Sequence, residues 1–369
     1  MRILTIAGTR PEIIRLSATI KKLDIYFEHR FIHTGQNSSR NMRDVFFEDL
    51  DLRQPDAYWD IESGHGLSST LGAMMVKLEA EIRTFKPTAL VVLGDTNSAL
   101  ATVIARRMGV IIYHIEAGNR SFDENVPEEI NRRIIDHFAN FNLAYSKNAL
   151  QNLLDEGLDR RRIATCGSPM LEVVKSIEHK LDKCSVLEDL GLEAESYILV
   201  SAHRQENVNS SERLFELLQT LGKISEFHQK RVLVSLHPRT RDKLSDITNS
   251  IPANIEFHEP FGFIDYLRLQ MSAFVVLSDS GTISEESSIL NFPAISIRDS
   301  MERQEALDTG SMMLTGIDLD NVMRGIEIVK SRIGTRIPEA YKELNHSEIV
   351  VRFISSTASR ANDWMGIRN

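Results

Sequence analysis

Three acidic residues stand where their side chains could exchange protons with a bound ligand. Asp95 comes directly after the apolar run Val91–Gly94, and Glu116 comes directly after Ile111–Ile115. Glu128 follows twelve residues later, at the start of a helical stretch. Each carboxylate alone is more often a helix cap or an ion-pair partner. Their joint placement favours a cluster that carries out acid–base chemistry.

Two short turns have the residue types of anion sites. Gly8-Thr9-Arg10-Pro11 couples a glycine turn to a helix start, where free N–H groups and Arg10 can meet a diphosphate. Ser280-Gly281-Thr282, before Glu285 and Glu286, is a second turn that lets backbone N–H groups approach phosphate. The alternatives are a tight turn with a solvent-exposed Arg10 and an ordinary helix cap.

Histidines provide further candidates. His203, followed by Arg204, and His237 both end apolar runs, where a side chain that titrates near neutral pH suits phosphate binding or acid–base work. A histidine that only completes a local hydrogen bond is the alternative, and it is preferred for His33 and His114. No metal-ligand spacing of His or Cys occurs, so no metal or other cofactor is expected.

The elements that position these residues alternate between short apolar strands and amphipathic helices, which indicates an α/β fold with parallel sheets. Six strands are predicted in the first half: Ile3–Ala7, Phe31–His33, Ala89–Leu93, Val110–Ile115, Asn142–Tyr145 and Ile163–Thr165. Six more are predicted in the second half: Tyr197–Ser201, Arg231–Ser235, Ile255–Phe257, Phe274–Leu277, Ala294–Ile297 and Met312–Leu314. Ser347–Met365 is predicted to form one helix.

The length of 369 residues predicts two domains with a cleft between them. A charged stretch without a clear strand, Ser176–Glu195, places the boundary near 180/181. The predicted domains are therefore residues 1–180 and 181–346. Both halves contribute polar clusters after strands, as a ligand site in a cleft requires.

Composition narrows the class of protein. The net charge of −9 argues against a nucleic-acid or membrane-surface partner, and no run of about 18 apolar residues is available to span a bilayer. No export signal opens the sequence, and Cys166 and Cys184 are too few for a disulfide scaffold. A soluble cytoplasmic protein is expected.

Seven segments in order resemble the non-hydrolysing UDP-N-acetylglucosamine 2-epimerase family across nearly the whole chain. They are GTRPEIIRLS (Gly8–Ser17), HTGQN (His33–Asn37), VVLGDTNS (Val91–Ser98), HIEAGNRSFDENVPEEINRR (His114–Arg133), SAHRQENV (Ser201–Val208), HPRTR (His237–Arg241) and SDSGTISEES (Ser278–Ser287).

The resemblance implies a glycosyltransferase-B-like fold of two Rossmann-like domains, a C-terminal helix (347–369) that returns to the first domain, and a homodimer. It implies catalytic roles for the carboxylates of Asp95, Glu116 and Glu128 and places the family's catalytic-site histidine at His203. Residues implied in UDP-sugar binding are Arg10, Arg132, Arg204, His237, Phe263, Ser280, Gly281, Thr282 and Glu286. Phe263 or Tyr266 is expected near the uracil, and Glu286 near the ribose hydroxyls.

The loop Asn119–Val126 and the segment Ser278–Pro293 look like the subgroup that converts UDP-2-acetamido-2,6-dideoxy-L-talose to UDP-N-acetyl-L-fucosamine for surface polysaccharides. Gln205 departs from this pattern, since the subgroup commonly has Glu there. The first alternative is an epimerase that acts on UDP-N-acetylglucosamine. A glycosyltransferase of the same fold and a non-catalytic UDP-sugar sensor are the alternatives of other classes.

Overall fold

The computed structural model describes residues 1–35, 40–61, 66–202, 210–235, 252, 254–331 and 336–366. The chain divides into two compact units. Unit 1 consists of Met1–Ser176 and the residues from Glu339 onward, and unit 2 is Ile177–Pro338. The sequence placed these two divisions at 180/181 and 346/347, a few residues further along the chain.

Unit 1 is built on a seven-stranded parallel sheet with the order β3-β2-β1-β4-β5-β6-β7. The strands are β1 Arg2–Ala7, β2 Glu28–His33, β3 Ala57–Tyr58, β4 Ala89–Leu93, β5 Ile111–Ile115, β6 Phe141–Ala144 and β7 Ile163–Thr165. The helices up to the division are α1 Arg10–Tyr26, α2 Arg40–Asp49, α3 Leu67–Phe85, α4 Asn97–Leu100, α5 Val103–Arg107, α6 Pro127–Phe138, α7 Lys147–Asp155 and α8 Met170–Leu181.

The central strands β4 and β5 are buried along their whole length. Their side chains point alternately to the two faces of the sheet, so both faces need a cover. Leu90 and Ile112 pack with Met74 and Leu78 of α3 on one face. On the other face the ring of Tyr113 stacks on Phe141 of β6 at 5.1 Å, and Phe353 of the helix His346–Thr357 packs edge-on against both rings. Helices therefore cover both faces of this sheet.

Unit 2 repeats the architecture with six parallel strands in the order β10-β9-β8-β11-β12-β13. The strands are β8 Tyr197–Ser201, β9 Arg231–Ser235, β10 Ile255–His258, β11 Val275–Ser278, β12 Ala294–Ser296 and β13 Met313–Leu314. The helices are α9 Val186–Asp189, α10 Ser211–His228, α11 Phe263–Ser272, α12 Ile283–Leu290, α13 Gln304–Asp308 and α14 Leu319–Ser331. The predicted α/β class with two parallel sheets is confirmed.

The C-terminal residues pack on unit 1. A 3-10 turn, Glu339–Lys342, is followed by α15 His346–Thr357, a second 3-10 turn Ala358–Arg360, and α16 Ala361–Trp364. The prediction of a single helix was wrong here. The Thr357 hydroxyl donates to the Phe353 carbonyl at 2.6 Å and lies 2.8 Å from the Tyr113 hydroxyl. Such a bond to the preceding turn bends a helix, and the chain continues as a 3-10 turn.

Most predicted strands match within one residue, with two differences. β2 begins at Glu28 rather than Phe31, because the polar residues Glu28–Arg30 pair with Arg2–Leu4 of β1. β3 was missed, since its two residues have no apolar run. Within the described part of the chain, no helix is long and apolar enough to cross a membrane.

Candidate active site

The strand order of each sheet reverses at one point, and five of the described site candidates follow the strands there: Arg10, Asp95, Ser280, Gly281 and Thr282. In unit 1 the reversal lies between β1 and β4, which are followed by Gly8–Arg10 and Gly94–Asp95. In unit 2 it lies between β8 and β11, and Asp279–Thr282 follow β11. Open α/β sheets bind ligands at the carboxyl ends of strands at such a reversal. Each unit therefore has a candidate ligand site at its own strand reversal.

The turn after β1 is held by a buried carboxylate that the sequence analysis did not single out. Oε2 of Glu12 accepts hydrogen bonds from the Gly8 N–H at 3.0 Å and from the N–H and hydroxyl of Thr9, both at 2.8 Å. Its Oε1 accepts from the hydroxyl of Thr96 at 2.9 Å. Glu12 therefore joins the turn that carries Arg10 to the loop that carries Asp95.

Burial gives Glu12 an unusual pKa. Its side chain is 1% exposed, and loss of solvation raises its pKa from 4.5 to about 7, against the opposing effect of its four hydrogen bonds. A carboxyl group whose pKa is raised on folding stabilises the fold most below pH 4.5 and loses that contribution as the pH rises to about 7.

We expect the Glu12→Gln variant to remove this pH dependence. We compare the free energy of unfolding of wild type with that of the variant at each pH. This difference should fall by about 3 kcal/mol between pH 4.5 and 7.5 and stay constant above pH 7.5, because one pKa unit corresponds to about 1.36 kcal/mol. Urea unfolding at several pH values measures it. Glu28→Gln, at an exposed carboxylate of β2, is the control and should give a flat difference. If the difference between wild type and Glu12→Gln did not change with pH, Glu12 would be ionised in the folded protein from pH 4.5 to 7.5.

Asp95 is fixed by an arginine from α6. Its Oδ2 accepts from Nε of Arg132 at 3.0 Å and from Nη2 at 2.6 Å. Asn131 donates from its side chain to the Asp95 carbonyl at 3.0 Å. Arg132, expected to bind nucleotide, is only 2% exposed and also pairs with Glu129 at 3.3 Å. The structure thus places Arg132 as the partner of Asp95.

Glu116 is fixed by an arginine from α1. Its Oε2 lies 2.7 Å from Nη1 of Arg15, and both side chains are at most one-tenth exposed. The backbone of Glu116 has φ +68°, a left-handed conformation that is uncommon outside glycine and recurs at functional sites. A Cβ placed on Gly94 would lie 4.0 Å from Oε2 of Glu116. This carboxylate therefore lies beside the residue that precedes Asp95.

Glu128 completes the group of acidic side chains in unit 1. It is half-buried in the first turn of α6 and has no hydrogen-bond or ion-pair partner for its carboxylate among the residues that the structure describes. Because residues four apart share a helix face, Glu128 lies on the side of α6 that carries Arg132. Pro127 is the first residue of this helix, where its missing N–H leaves no hydrogen bond unmade.

The loop between Glu116 and α6 is shaped by Glu129 rather than Glu128. The Glu129 carboxylate accepts from the N–H and hydroxyl of Ser121 at 2.9 and 3.0 Å. Phe122 follows with φ +55°, and 73% of it is exposed. Val126, at the end of the same loop, is buried, so Phe122 is the apolar side chain that this loop exposes.

A buried charge network lies behind the carboxylates. Asp136 of α6 accepts from Nη1 of Arg120 at 2.8 Å and from the Gly118 N–H at 3.2 Å, and it lies 2.8 Å from Nδ1 of His114. Nε2 of His114 lies 2.8 Å from the Gly94 carbonyl oxygen. His114 is therefore structural, as expected, and this network connects the loops of Asp95 and Glu116. His33 likewise accepts locally, from the N–H of Gly35.

The candidate site of unit 2 is a turn of small residues before α12. The Ser280 N–H donates to the Ser278 hydroxyl at 3.0 Å, and the Thr282 N–H donates to the Ser280 hydroxyl at 3.3 Å. The N–H groups of Ser280 and Thr282 are thus already bound within the turn. The Gly281 N–H has no partner among the described residues and is available to an anion at this helix start.

The residues expected around the nucleoside are largely buried. Glu286 of α12 accepts from Nε2 of Gln270 at 2.7 Å, and Phe263 lies buried at the first position of α11. Burial raises the pKa of the Tyr266 hydroxyl well above its ordinary value. The remaining candidates, His203, Arg204 and His237, lie outside the described residues.

Comparison with known proteins decides the family. The family model described as UDP-N-acetylglucosamine 2-epimerase matches residues 21–355. The chain belongs to the UDP-N-acetylglucosamine 2-epimerase family. It is an isomerase, and its activity is that of a UDP-sugar 2-epimerase.

Relatives of this family span almost the full length of the chain. The UDP-N-acetylglucosamine 2-epimerase of Methanococcus maripaludis is 36% identical over 95% of this chain and 97% of its own. The UDP-2,3-diacetamido-2,3-dideoxy-D-glucuronate 2-epimerase of Pseudomonas aeruginosa is 32% identical over 92% and 94%. Members named for two different sugars are thus comparably similar to this chain.

Solved structures agree with the fold. The Methanocaldococcus jannaschii epimerase, solved with UDP-N-acetylglucosamine and UDP, superposes with a TM-score of 0.90 at 34% identity, covering 96% of this chain and 100% of that one. The two units of this chain are accordingly of the glycosyltransferase-B-like type expected from the sequence.

Proposed function

We propose that this epimerase inverts C2 of a UDP-2-acetamido sugar by eliminating UDP and adding it back. The observation that carries the proposal is the placement of Asp95 and Glu116. They end neighbouring strands, and a separate arginine holds each one. Glu128 adds a carboxylate without a cation partner among the described residues. Inversion requires proton removal on one face of C2 and delivery on the other, which calls for at least two such groups.

The chemistry explains why UDP must leave. The C2 proton beside an acetamido group is not acidic. When the C1–O bond breaks, its electron pair leaves with UDP, and positive charge at C1 makes the C2 proton removable by a carboxylate. The products are UDP and a 2-acetamidoglycal. UDP then adds back to C1 while C2 receives a proton on the opposite face, so atoms and charge balance.

Unit 2 supplies the groups that bind UDP in this proposal. The start of α12, with the Gly281 N–H, faces the diphosphate that gains charge as the bond breaks. The carboxylate of Glu286 accepts from the ribose hydroxyls, and Phe263 or Tyr266 lies by the uracil. The resemblance adds Ser280, Thr282, Arg204 and His237 to the binding set and His203 to the acid–base set. Arg10, on the ring of Phe46 at 5.2 Å, adds a cation from unit 1.

We propose UDP-2-acetamido-2,6-dideoxy-L-talose as the substrate and UDP-N-acetyl-L-fucosamine as the product. Support comes from the Asn119–Val126 loop, which follows Glu116 and presents the exposed Phe122 side chain. A 6-deoxy sugar carries a methyl group, and an aromatic ring is a favourable contact for it. UDP-N-acetylglucosamine is the second candidate, favoured by the names of the relatives and the sugar in the solved complex.

Proton NMR in heavy water tests both proposals. The enzyme is given UDP-2-acetamido-2,6-dideoxy-L-talose or UDP-N-acetylglucosamine, and the C2 proton signal is followed. Deuterium at C2 with epimerisation of the talose sugar alone supports the substrate proposed here. Turnover of UDP-N-acetylglucosamine alone identifies the second candidate. Epimerisation without deuterium entry would overturn the elimination mechanism.

We expect Phe122→Ser to act on the 6-deoxy sugar selectively. Loss of an apolar contact to one methyl group should lower kcat/KM for this sugar about tenfold and leave that for the 6-hydroxy counterpart unchanged. Phe227→Ser is the matched control, since Phe227 is 67% exposed in unit 2. An equal loss of kcat/KM on both sugars would show that Phe122 does not determine specificity.

The resemblance also leads us to propose a homodimer in the cytoplasm that supplies a surface polysaccharide precursor. Ile130 and Ile134 form an apolar stripe on α6 and are 51% and 44% exposed, which suits a subunit interface. Light scattering coupled to gel filtration should give twice the chain mass, and a monomer at micromolar concentration would contradict the dimer.

A further inference from the structure

Unit 1 contains a recess far from the carboxylates of Asp95 and Glu116. Its volume is about 300 Å³, and its lining residues are Arg106, Phe141, Asp159, Arg161, Arg162, Trp364 and Met365. Three of the seven are arginines, and two are aromatic. All belong to unit 1, so the recess is formed within one compact part of the chain.

The recess lies at the amino-terminal ends of the strands, whereas the candidate active site lies at their carboxyl ends. Arg106 is in α5 before β5 begins, Phe141 is the first residue of β6, and Arg162 directly precedes β7. The carboxylates Asp95 and Glu116 instead follow the ends of β4 and β5. A five-residue strand is about 16 Å long, which separates the two regions.

The charges in the recess are not balanced within the described part of the chain. Arg161 pairs with Asp159 at 2.6 Å. Arg162 donates to the carbonyls of Ala139 and Asn140, and Arg106 donates only to the thioether sulfur of Met365, at 3.8 Å.

These arginines also repel one another. Burial lowers the pKa of both Arg106 and Arg162, and the nearby Arg106 cation lowers that of Arg162 further. Asp159, the carboxylate of the recess, is already paired with Arg161 and offsets these effects only in part, so the two half-buried guanidinium groups are poorly stabilised by the protein alone. An anion in the recess would relieve both the repulsion and the loss of solvation.

An aromatic wall adds a second feature. Trp364 packs edge-on against Phe141, with ring centroids 6.3 Å apart, and remains 42% exposed. An exposed indole beside an anion site can stack on a planar group attached to the anion.

We propose that this recess binds a phosphate group, either free or carried by a nucleoside whose base stacks on Trp364. Arg106 and Arg162 contact the phosphate oxygens, and Arg162 is anchored by its bonds to backbone carbonyls. The proposal does not depend on the sugar that the epimerase turns over.

Tryptophan fluorescence tests the proposal, because the chain has two Trp residues and the other, Trp59, is 7% exposed. Inorganic phosphate and UMP are titrated separately at constant ionic strength, with chloride as the exchanged anion. A saturable change in emission is expected in wild type and absent in Trp364→Phe. Tighter binding of UMP would identify the nucleoside form, and equal binding would identify free phosphate.

Arg106→Gln should weaken binding at least tenfold. Arg107→Gln, at the exposed neighbouring arginine, is the matched control and should bind like wild type. No saturable change in wild type, or equal binding in Arg106→Gln, would overturn the proposal.

Thermal unfolding separates this role from a structural one. Without phosphate, the Tm of Arg106→Gln should equal or exceed that of wild type, because a repulsive charge is removed. Phosphate should raise the Tm of wild type and Arg107→Gln by more than that of Arg106→Gln, because the candidate active site is unchanged in all three proteins. A lower Tm for Arg106→Gln with an unchanged phosphate effect would also overturn the proposal.

Discussion

Replacing Glu116 by Gln is expected to lower the rate of C2 proton exchange about a thousandfold, within the range that a positioned acid–base group contributes. Gln keeps the size of the side chain and an oxygen for Arg15, but it cannot carry a proton to or from C2. The loss should appear in kcat, whereas UDP should bind with a similar Kd. Deuterium entry at C2, followed by NMR, measures the rate.

Glu124→Gln is the matched control for this change. Glu124 is exposed on the same loop, and its carboxylate has no partner among the described residues, so its loss should leave exchange unchanged. A Glu116→Gln enzyme with exchange within threefold of wild type would show that Glu116 holds Arg15 in place and that the proton transfers belong to Asp95 and Glu128.

The second large effect is on stability. Asp136→Asn should lower the free energy of unfolding by about 3 kcal/mol, because it removes the charge of a fully buried carboxylate that both His114 and Arg120 contact. The network holds the loops before Asp95 and after Glu116. The variant should therefore also lose activity at temperatures where it remains folded. Urea unfolding followed by circular dichroism gives the first quantity.

An exposed ion pair supplies the control variant for Asp136→Asn. Glu79 and Arg83 pair at 2.6 Å across one turn of α3, with side chains 40% and 69% exposed. Glu79→Gln should change the free energy of unfolding by no more than about 0.5 kcal/mol. If Asp136→Asn were as mild as this control, the buried network would not be a main support of the active-site loops.

Much of the fold was predictable because parallel strands leave strong local signals. Ala89–Leu93 and Tyr197–Ser201 are apolar runs that end in polar turns, and their bounds match the structure. The motifs after β1, β4 and β11 lie at the two points where strand order reverses, which a chain of alternating strands and helices suggests in advance. The local sequence was therefore enough to predict that Asp95 and Glu116 lie at the carboxyl ends of their strands.

The partners of these carboxylates could not be predicted in the same way. Arg15 meets Glu116 across 101 positions of sequence, and Arg132 meets Asp95 across 37. Such pairs depend on how helices pack on the sheet. One signal was available: Glu12 and Arg15 are charged residues on the buried face of α1, where apolar side chains are the rule. A charge in that position indicates a paired or functional group.

Unit 1 consists of two separate stretches of the chain, and this affects the order in which the enzyme can fold during synthesis. Unit 2 is continuous in sequence and leaves the ribosome complete, whereas unit 1 still lacks its last segment at that time. That segment carries Phe353, which packs edge-on against Tyr113 and Phe141, at 6.2 and 5.5 Å. Until it arrives, an aromatic surface of the first sheet stays open to water and to other nascent chains.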